Sequence, residues 1–165
     1  MANMRTVFAG CLMVAALSWG SALAETPKKG TVVEVQTQNN DRIKFELREV
    51  VPSYNDSDRM SFTKGFKPKM SQFEWFEIPI VPSKRGMRIR EIRIADEGQK
   101  IRDAADGKEY VFYSVVIVPY EGPTASWYWQ ATSLSGMALD KGAPHPVSIP
   151  LSSVKVVRFP KPPAS

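Results

Sequence analysis

After residue 24, short runs in which apolar and polar side chains alternate with a period of two dominate the chain. In residues 42–50 three apolar residues alternate with charged ones, a pattern typical of a strand with one buried and one solvated face. A similar run at residues 31–37 precedes it, and Asn39, Asn40 and Asp41 between the two runs tolerate left-handed backbone dihedral angles. The pattern therefore predicts a hairpin over residues 31–50.

Further strands are predicted from runs that often end at proline, a residue that cannot donate to a sheet ladder. They lie at residues 74–81, 87–94, 109–118, 126–134, 147–149 and 154–159. Helix is predicted only as two turns at residues 99–105 and one turn at residues 134–139, and loops are predicted at residues 52–70 and 138–146. The elements together predict an all-β protein: a single, mostly antiparallel small barrel or sandwich of six to eight strands with loop insertions. The domain is predicted over residues 25–159, followed by a mobile proline-rich tail at residues 160–165.

Three segments at the two ends of this domain are KGTVVEV at residues 29–35, RIKFEL at residues 42–47 and IPLSSVKVVRF at residues 149–159. They resemble the first and last strands of small SH3-like or Sm-like barrels. The resemblance implies that the first strand pairs with the last, which would cover an edge of each.

Residues 1–24 have the parts of a cleavable secretory signal. Arg5 gives a short positive start, an apolar stretch of about ten residues follows, and a small-x-small pattern ends at Ala24. Cleavage there leaves 141 residues and predicts a periplasmic or secreted protein. The alternative is a lipoprotein acylated at Cys11, but most of the apolar residues follow that cysteine instead of preceding it. No later stretch is long and apolar enough to span a bilayer, so no transmembrane segment is predicted.

Composition excludes several chemistries. The only cysteine lies in the predicted leader, so the mature chain has no thiol for catalysis, disulfides, thiolate zinc sites or iron–sulfur clusters. His145 is the only histidine; it lies between two prolines, which predicts an exposed loop residue. No nucleophile-elbow motif is present. No cofactor and no metal are predicted, and an enzyme with an unrecognised site ranks third among the functional hypotheses.

Lysine and arginine outnumber aspartate and glutamate by 22 to 17, and five of these basic residues fall within residues 84–93, which include most of one predicted strand. Arg85, Arg88 and Arg90 are the candidate binding residues there, because spaced guanidinium groups grip carboxylate or phosphate through paired hydrogen bonds. Arg93 is predicted on the opposite side of the strand unless a bulge intervenes. The alternative is a solvated strand face whose arginines pair with acids close in sequence.

Trp127 and Trp129 form the second candidate set. A period of two places both on one strand face and Tyr128 on the other. Flat aromatic side chains can stack on sugar rings or anchor a protein partner, whereas the alternative is that they pack in the core. At least one of the three is expected to be partly exposed.

These features predict an exported, non-enzymatic periplasmic interaction protein, either an inhibitor or immunity-like protein or an accessory subunit of an envelope assembly. Its expected partner is a protein of the cell envelope. The alternative is a binding module for an anionic glycan or lipid headgroup, in which Trp127 or Trp129 stacks while Arg88 and Arg90 clamp. Nucleic acid is not an expected partner for an exported chain.

Overall fold

The computed structural model describes residues 30–51, 59–64, 74–81, 88–95, 97–102, 107–140 and 142–161. The predicted leader at residues 1–24 and residues 162–165 of the predicted tail lie outside these ranges. Within them the chain forms eleven β-strands, one 3-10 turn at Leu151–Ser153 and no α-helix. The strands are β1 (Thr31–Thr37), β2 (Arg42–Val51), β3 (Arg59–Lys64), β4 (Glu74–Pro79), β5 (Ile89–Ile94), β6 (Gln99–Arg102), β7 (Glu109–Pro119), β8 (Ala125–Gln130), β9 (Ser133–Ala138), β10 (His145–Pro150) and β11 (Val154–Arg158).

All eleven strands belong to one antiparallel sheet that curls into a half-barrel. The strand order is β10-β9-β2-β1-β11-β5-β7-β8-β3-β4, and β6 pairs with β7 beyond the end of β5. The all-β prediction is therefore confirmed, but the prediction of six to eight strands is too low.

The additional strands arise in segments that the sequence pattern assigns to loop or helix. β3 lies within the predicted loop at residues 52–70, β6 within the predicted helix at residues 99–105, and β9 replaces the helical turn predicted at residues 134–139. Each short run is hydrogen-bonded to a neighbouring strand: β3 to β4 and β8, β6 to β7, and β9 to β2 and β10. Because these short strands depend on pairing with a neighbour, the local sequence pattern predicts too few strands.

The two ends of the domain pair as the barrel resemblance implies. β1 and β2 form the predicted hairpin, in which Asn40 has a φ of 65°. β1 also pairs with β11, and β11 pairs with β5, so both β1 and β11 have neighbours on each side. The ends of the sheet are β4 and β10 instead. Pro146 and Pro150 lie in β10, which is the placement expected of proline on a sheet edge.

One hydrophobic core lies on the concave face of the sheet, here called the core face; the opposite face is the outer face. Its largest fully buried side chains include Trp129, Phe45 and Phe62. The β4 end of the sheet contacts β1, which lies near the middle of the strand order. The Thr31 hydroxyl at the start of β1 donates a hydrogen bond to the backbone carbonyl of Ile80, just after β4. The curl therefore encloses the core instead of leaving one face of the sheet open.

Gly136 in β9 is required by the close approach of β2. A Cβ atom at this position would overlap the carbonyl oxygen of Glu46 and lie 2.9 Å from Cζ of Phe45. The sequence pattern alone gives no reason for a glycine inside a strand, whereas the sheet does.

Candidate functional site

A strongly charged surface lies on the outer face of four adjacent strands. In their register, Glu91 of β5 is opposite Arg158 of β11, Arg158 is opposite Glu34 of β1, and Glu34 is opposite Lys44 of β2. Because every second residue of a strand points to the same side, this register sets acids and bases alternately across the sheet. We call this surface the arginine face; it comprises Arg42, Lys44, Arg88, Arg90, Arg93, Arg158, Glu34 and Glu91.

Glu91 is the central acid of the arginine face. Its side chain is only 10% exposed, and Arg93 donates to Oε1 from Nε at 2.8 Å and also from Nη2. Nε of Arg158 lies 3.5 Å from Oε2 of Glu91, and Nη2 of Arg90 lies 4.0 Å from Oε1. One carboxylate is thus shared by three guanidinium groups.

Arg158 links this cluster to the second acid. Its Nη1 donates to Oε1 of Glu34 at 2.8 Å, and its Nη2 donates to the side-chain oxygen of Gln36 at 2.9 Å. Nη1 of Arg42 lies 3.9 Å from the same Glu34 oxygen. A continuous chain of ionic contacts therefore crosses β5, β11, β1 and β2.

The arginine face retains a large positive charge after these contacts. Together with Arg88, which directly precedes β5, the four strands carry eight lysines and arginines and four glutamates, which leaves a net charge of +4. The side chains of Arg42, Arg90 and Arg93 are 66%, 52% and 53% exposed, so their guanidinium groups remain open to solvent on one side. A surface of this charge attracts anions and acidic protein surfaces.

A β-bulge in β5 brings the arginines together. Ile89 and Glu91 pair with the consecutive β7 residues Pro119 and Val118, so Arg90 is the extra residue of the bulged strand. Arg90 consequently lies beside Glu91, and Arg93 shares the outer face with Glu91. The bulge that the sequence analysis left open is present, and it adds Arg93 to the predicted set.

The predicted arginines and tryptophans lie on opposite faces of the sheet. Arg88 and Arg90 are exposed on the outer face, whereas Arg85 lies outside the described residues. Trp129 belongs to the core, has no exposed surface and stacks on Phe62 with ring centroids 5.3 Å apart.

Trp127 lies on the same face as Trp129 and is half-buried, against the exposed ring of Phe76 at 5.6 Å. It is therefore the more exposed member of the tryptophan pair. The structure does not bring either tryptophan together with Arg88 or Arg90, and a small ligand on one face would contact only one of the two sets.

Sequence analysis missed Glu34, Arg42 and Arg158 as members of the site. Glu34 and Arg158 are 124 residues apart, so no local run of charge connects them. The available signal was the implied pairing of the first and last strands, which places two oppositely charged outer-face residues side by side.

A pocket of about 410 Å³ adjoins the arginine face. Its lining includes Glu34, Arg42 and Lys44 together with Asp140 and Val32. The Val32 side chain is 41% exposed. The charged surface therefore has a concave, partly apolar region at one margin.

His145 begins β10 instead of lying in the predicted loop, although it is exposed as expected. Its Nδ1 lies 3.4 Å from the Ala143 carbonyl oxygen. Within the described parts of the chain, no three histidine, cysteine, aspartate or glutamate side chains are grouped so that they could hold a metal ion. No helix in those parts is long and apolar enough to cross a membrane.

Comparison with known proteins adds no family to this picture. No protein-family model matches the chain, and no curated protein and no solved structure is significantly similar to it.

Proposed function

We propose that the protein is an exported, non-enzymatic interaction protein of the bacterial periplasm that binds an acidic partner protein of the cell envelope through its arginine face. The observation that carries the proposal is the excess of eight lysines and arginines over four glutamates on four adjacent strands and at Arg88 beside them. Binding of this kind suits an inhibitor or immunity-like protein, and equally an accessory subunit of an envelope assembly. Export is supported by the leader at residues 1–24.

The contacts within the arginine face favour protein binding over a merely solvated surface. Arg158 is held by Glu34 and Gln36, and Arg93 is held by Glu91. Guanidinium groups that are already oriented lose less conformational entropy when a partner carboxylate binds them. The pocket beside Val32 offers a place for an apolar anchor from the same partner.

Affinity capture with matched charge variants tests this proposal. The protein is expressed with its own leader, purified after export, immobilised and exposed to a detergent-solubilised envelope extract at roughly 0.15 M salt, where distant surface charges are largely screened. The wild type is compared with Arg88→Glu/Arg90→Glu. The control, Lys64→Glu/Arg102→Glu, makes the same change of charge at exposed residues outside the arginine face.

We expect one acidic protein to be retained in stoichiometric amount by the wild type and by the control, and to be lost with the Arg88/Arg90 variant. Equal retention by all three proteins would contradict the proposal. Analysis of the purified protein for a new N-terminus at Glu25 tests export independently.

An anionic glycan or lipid headgroup is the second candidate ligand for the same face. It is favoured by the exposed guanidinium groups of Arg42, Arg90 and Arg93, which suit phosphate as well as carboxylate. The extract would then yield only glycan or lipid, and the affinity for it would fall steeply as salt is added. That result would show that the ligand belongs to this class and is not a protein.

A further inference from the structure

A second cavity, here called the end cavity, opens at one end of the half-barrel. Its volume is about 720 Å³, within the range of about 300–1,000 Å³ typical of small-molecule sites. It lies between β6 and the 3-10 turn, and it shares no residue with the arginine face. Its lining includes Ile94, Glu97, Lys100, Val111, Tyr113 and Lys155.

The topology of the sheet explains why this space is open. β5 and β6 pair in succession with the same edge of β7, and β11 continues the sheet beside β5 only. Among the described strands, β6 therefore has a partner on one side alone. The gap between β6 and the start of β11 is the cavity, a position at the mouth of a barrel where ligand sites are common.

The inner wall of the end cavity is apolar. Ile94 and Val111 are half-buried and pack against the core, and Tyr113 is 6% exposed. Gly98 lies directly on this wall, because a Cβ atom there would come within 2.7 Å of both the Tyr113 ring and a Val111 methyl group. The packing gives the wall a defined shape.

The rim of the end cavity carries two ammonium groups. Nζ of Lys100 lies 3.3 Å from Oε1 of Glu109, and Nζ of Lys155 donates to Oδ1 of Asn40 at 3.2 Å. An ammonium group has three donors, so each lysine retains donors for an added anion. Glu97 is the one acid in the lining, so the lysines of the lining outnumber its acids by two to one, and Glu109, outside the lining, pairs with Lys100.

We propose that the end cavity binds an amphipathic monoanion, such as a medium-chain carboxylate. The anionic group bonds to Lys100 and Lys155, and the apolar body lies against Ile94, Val111 and Tyr113. This ligand matches the cavity because its apolar part can be buried against the apolar inner wall while its anionic group forms charge-assisted hydrogen bonds with the lysines at the rim. The site is independent of the arginine face and of its partner.

Fluorescence titration of the purified full protein with 1-anilinonaphthalene-8-sulfonate, an anionic aromatic probe, tests this assignment. Decanoate and uncharged decanol then compete for the probe. We expect one probe molecule per protein, displacement by decanoate, and displacement by decanol at least about tenfold weaker, since decanol lacks the charge-assisted bond.

Two independent variants locate the site. Lys100→Gln/Lys155→Gln removes both cations and is expected to weaken decanoate binding about tenfold or more. Ser152→Trp fills the cavity from an exposed lining position and is expected to abolish probe binding. The control, Lys64→Gln/Lys161→Gln, makes the same charge change at exposed residues outside the lining and is expected to bind normally.

Circular dichroism of each variant establishes that it is folded. The proposal is overturned if the wild type binds no probe, if decanol competes as well as decanoate, or if a folded variant of either kind binds like the wild type.

Discussion

Replacing Glu91 with glutamine tests the arginine face as a physical unit. The change preserves the size and shape of the side chain but removes the one negative charge that Arg90, Arg93 and Arg158 share. Arg90 and Arg93 would then lose this acidic partner, and Arg158 would keep only Glu34. We therefore expect Glu91→Gln to lower the free energy of unfolding.

The magnitude follows from the exposure of the partners. Loss of one member of a buried ion pair costs about 3–5 kcal/mol, whereas an exposed pair contributes about 0.2–1 kcal/mol. Glu91 has a side chain that is 10% exposed, but Arg93 and Arg158 are 53% and 35% exposed and are screened by solvent. An intermediate cost of about 2 kcal/mol is therefore expected, which for a domain of this size lowers Tm by roughly 6 °C.

Urea denaturation followed by tryptophan fluorescence measures this free energy. The control is Glu109→Gln, which removes an exposed acid that pairs with the exposed Lys100 and should cost less than about 0.5 kcal/mol. A double-mutant cycle with Arg158→Gln should give a coupling of about 1 kcal/mol that decreases as salt is added.

If the variant is as stable as the wild type, or is stabilised, the ionic chain across the four strands does not contribute as described. In that case its arginines are independent surface residues.

Substitutions at four further positions test the core and the curl of the sheet, each by urea denaturation. Trp129→Ala should cost about 3–5 kcal/mol because the ring is fully buried, and Trp127→Ala should cost less than half as much; equal effects would contradict their different burial. Gly136→Ala should cost about 1–3 kcal/mol, since the new methyl group overlaps the β2 backbone, and a neutral result would mean that the strands can separate freely. Thr31→Val should cost about 1–3 kcal/mol by leaving the Ile80 carbonyl without its hydroxyl donor, whereas Thr31→Ser should retain most of the stability.

The sequence alone determined the class of the fold and much of its outline. The alternation of side chains in β1 and β2, the turn at Asn40 and the apolar run of β7 each encode a strand through local burial pattern. The same alternation placed Arg88 and Arg90 on one side of a strand, and Trp127 and Trp129 on a common face of another.

The tertiary structure decided which strands pair with each other and which charged side chains come into contact. β6 is only four residues long and is stabilised by its ladder with β7, so its own residues could not distinguish it from a helical turn. Arg158 meets Glu34 and Glu91 because β11 lies between β1 and β5, a neighbour relation that no local pattern carries. Sequence periodicity sets the side of a strand to which a residue points, whereas only the strand order sets what lies beside it.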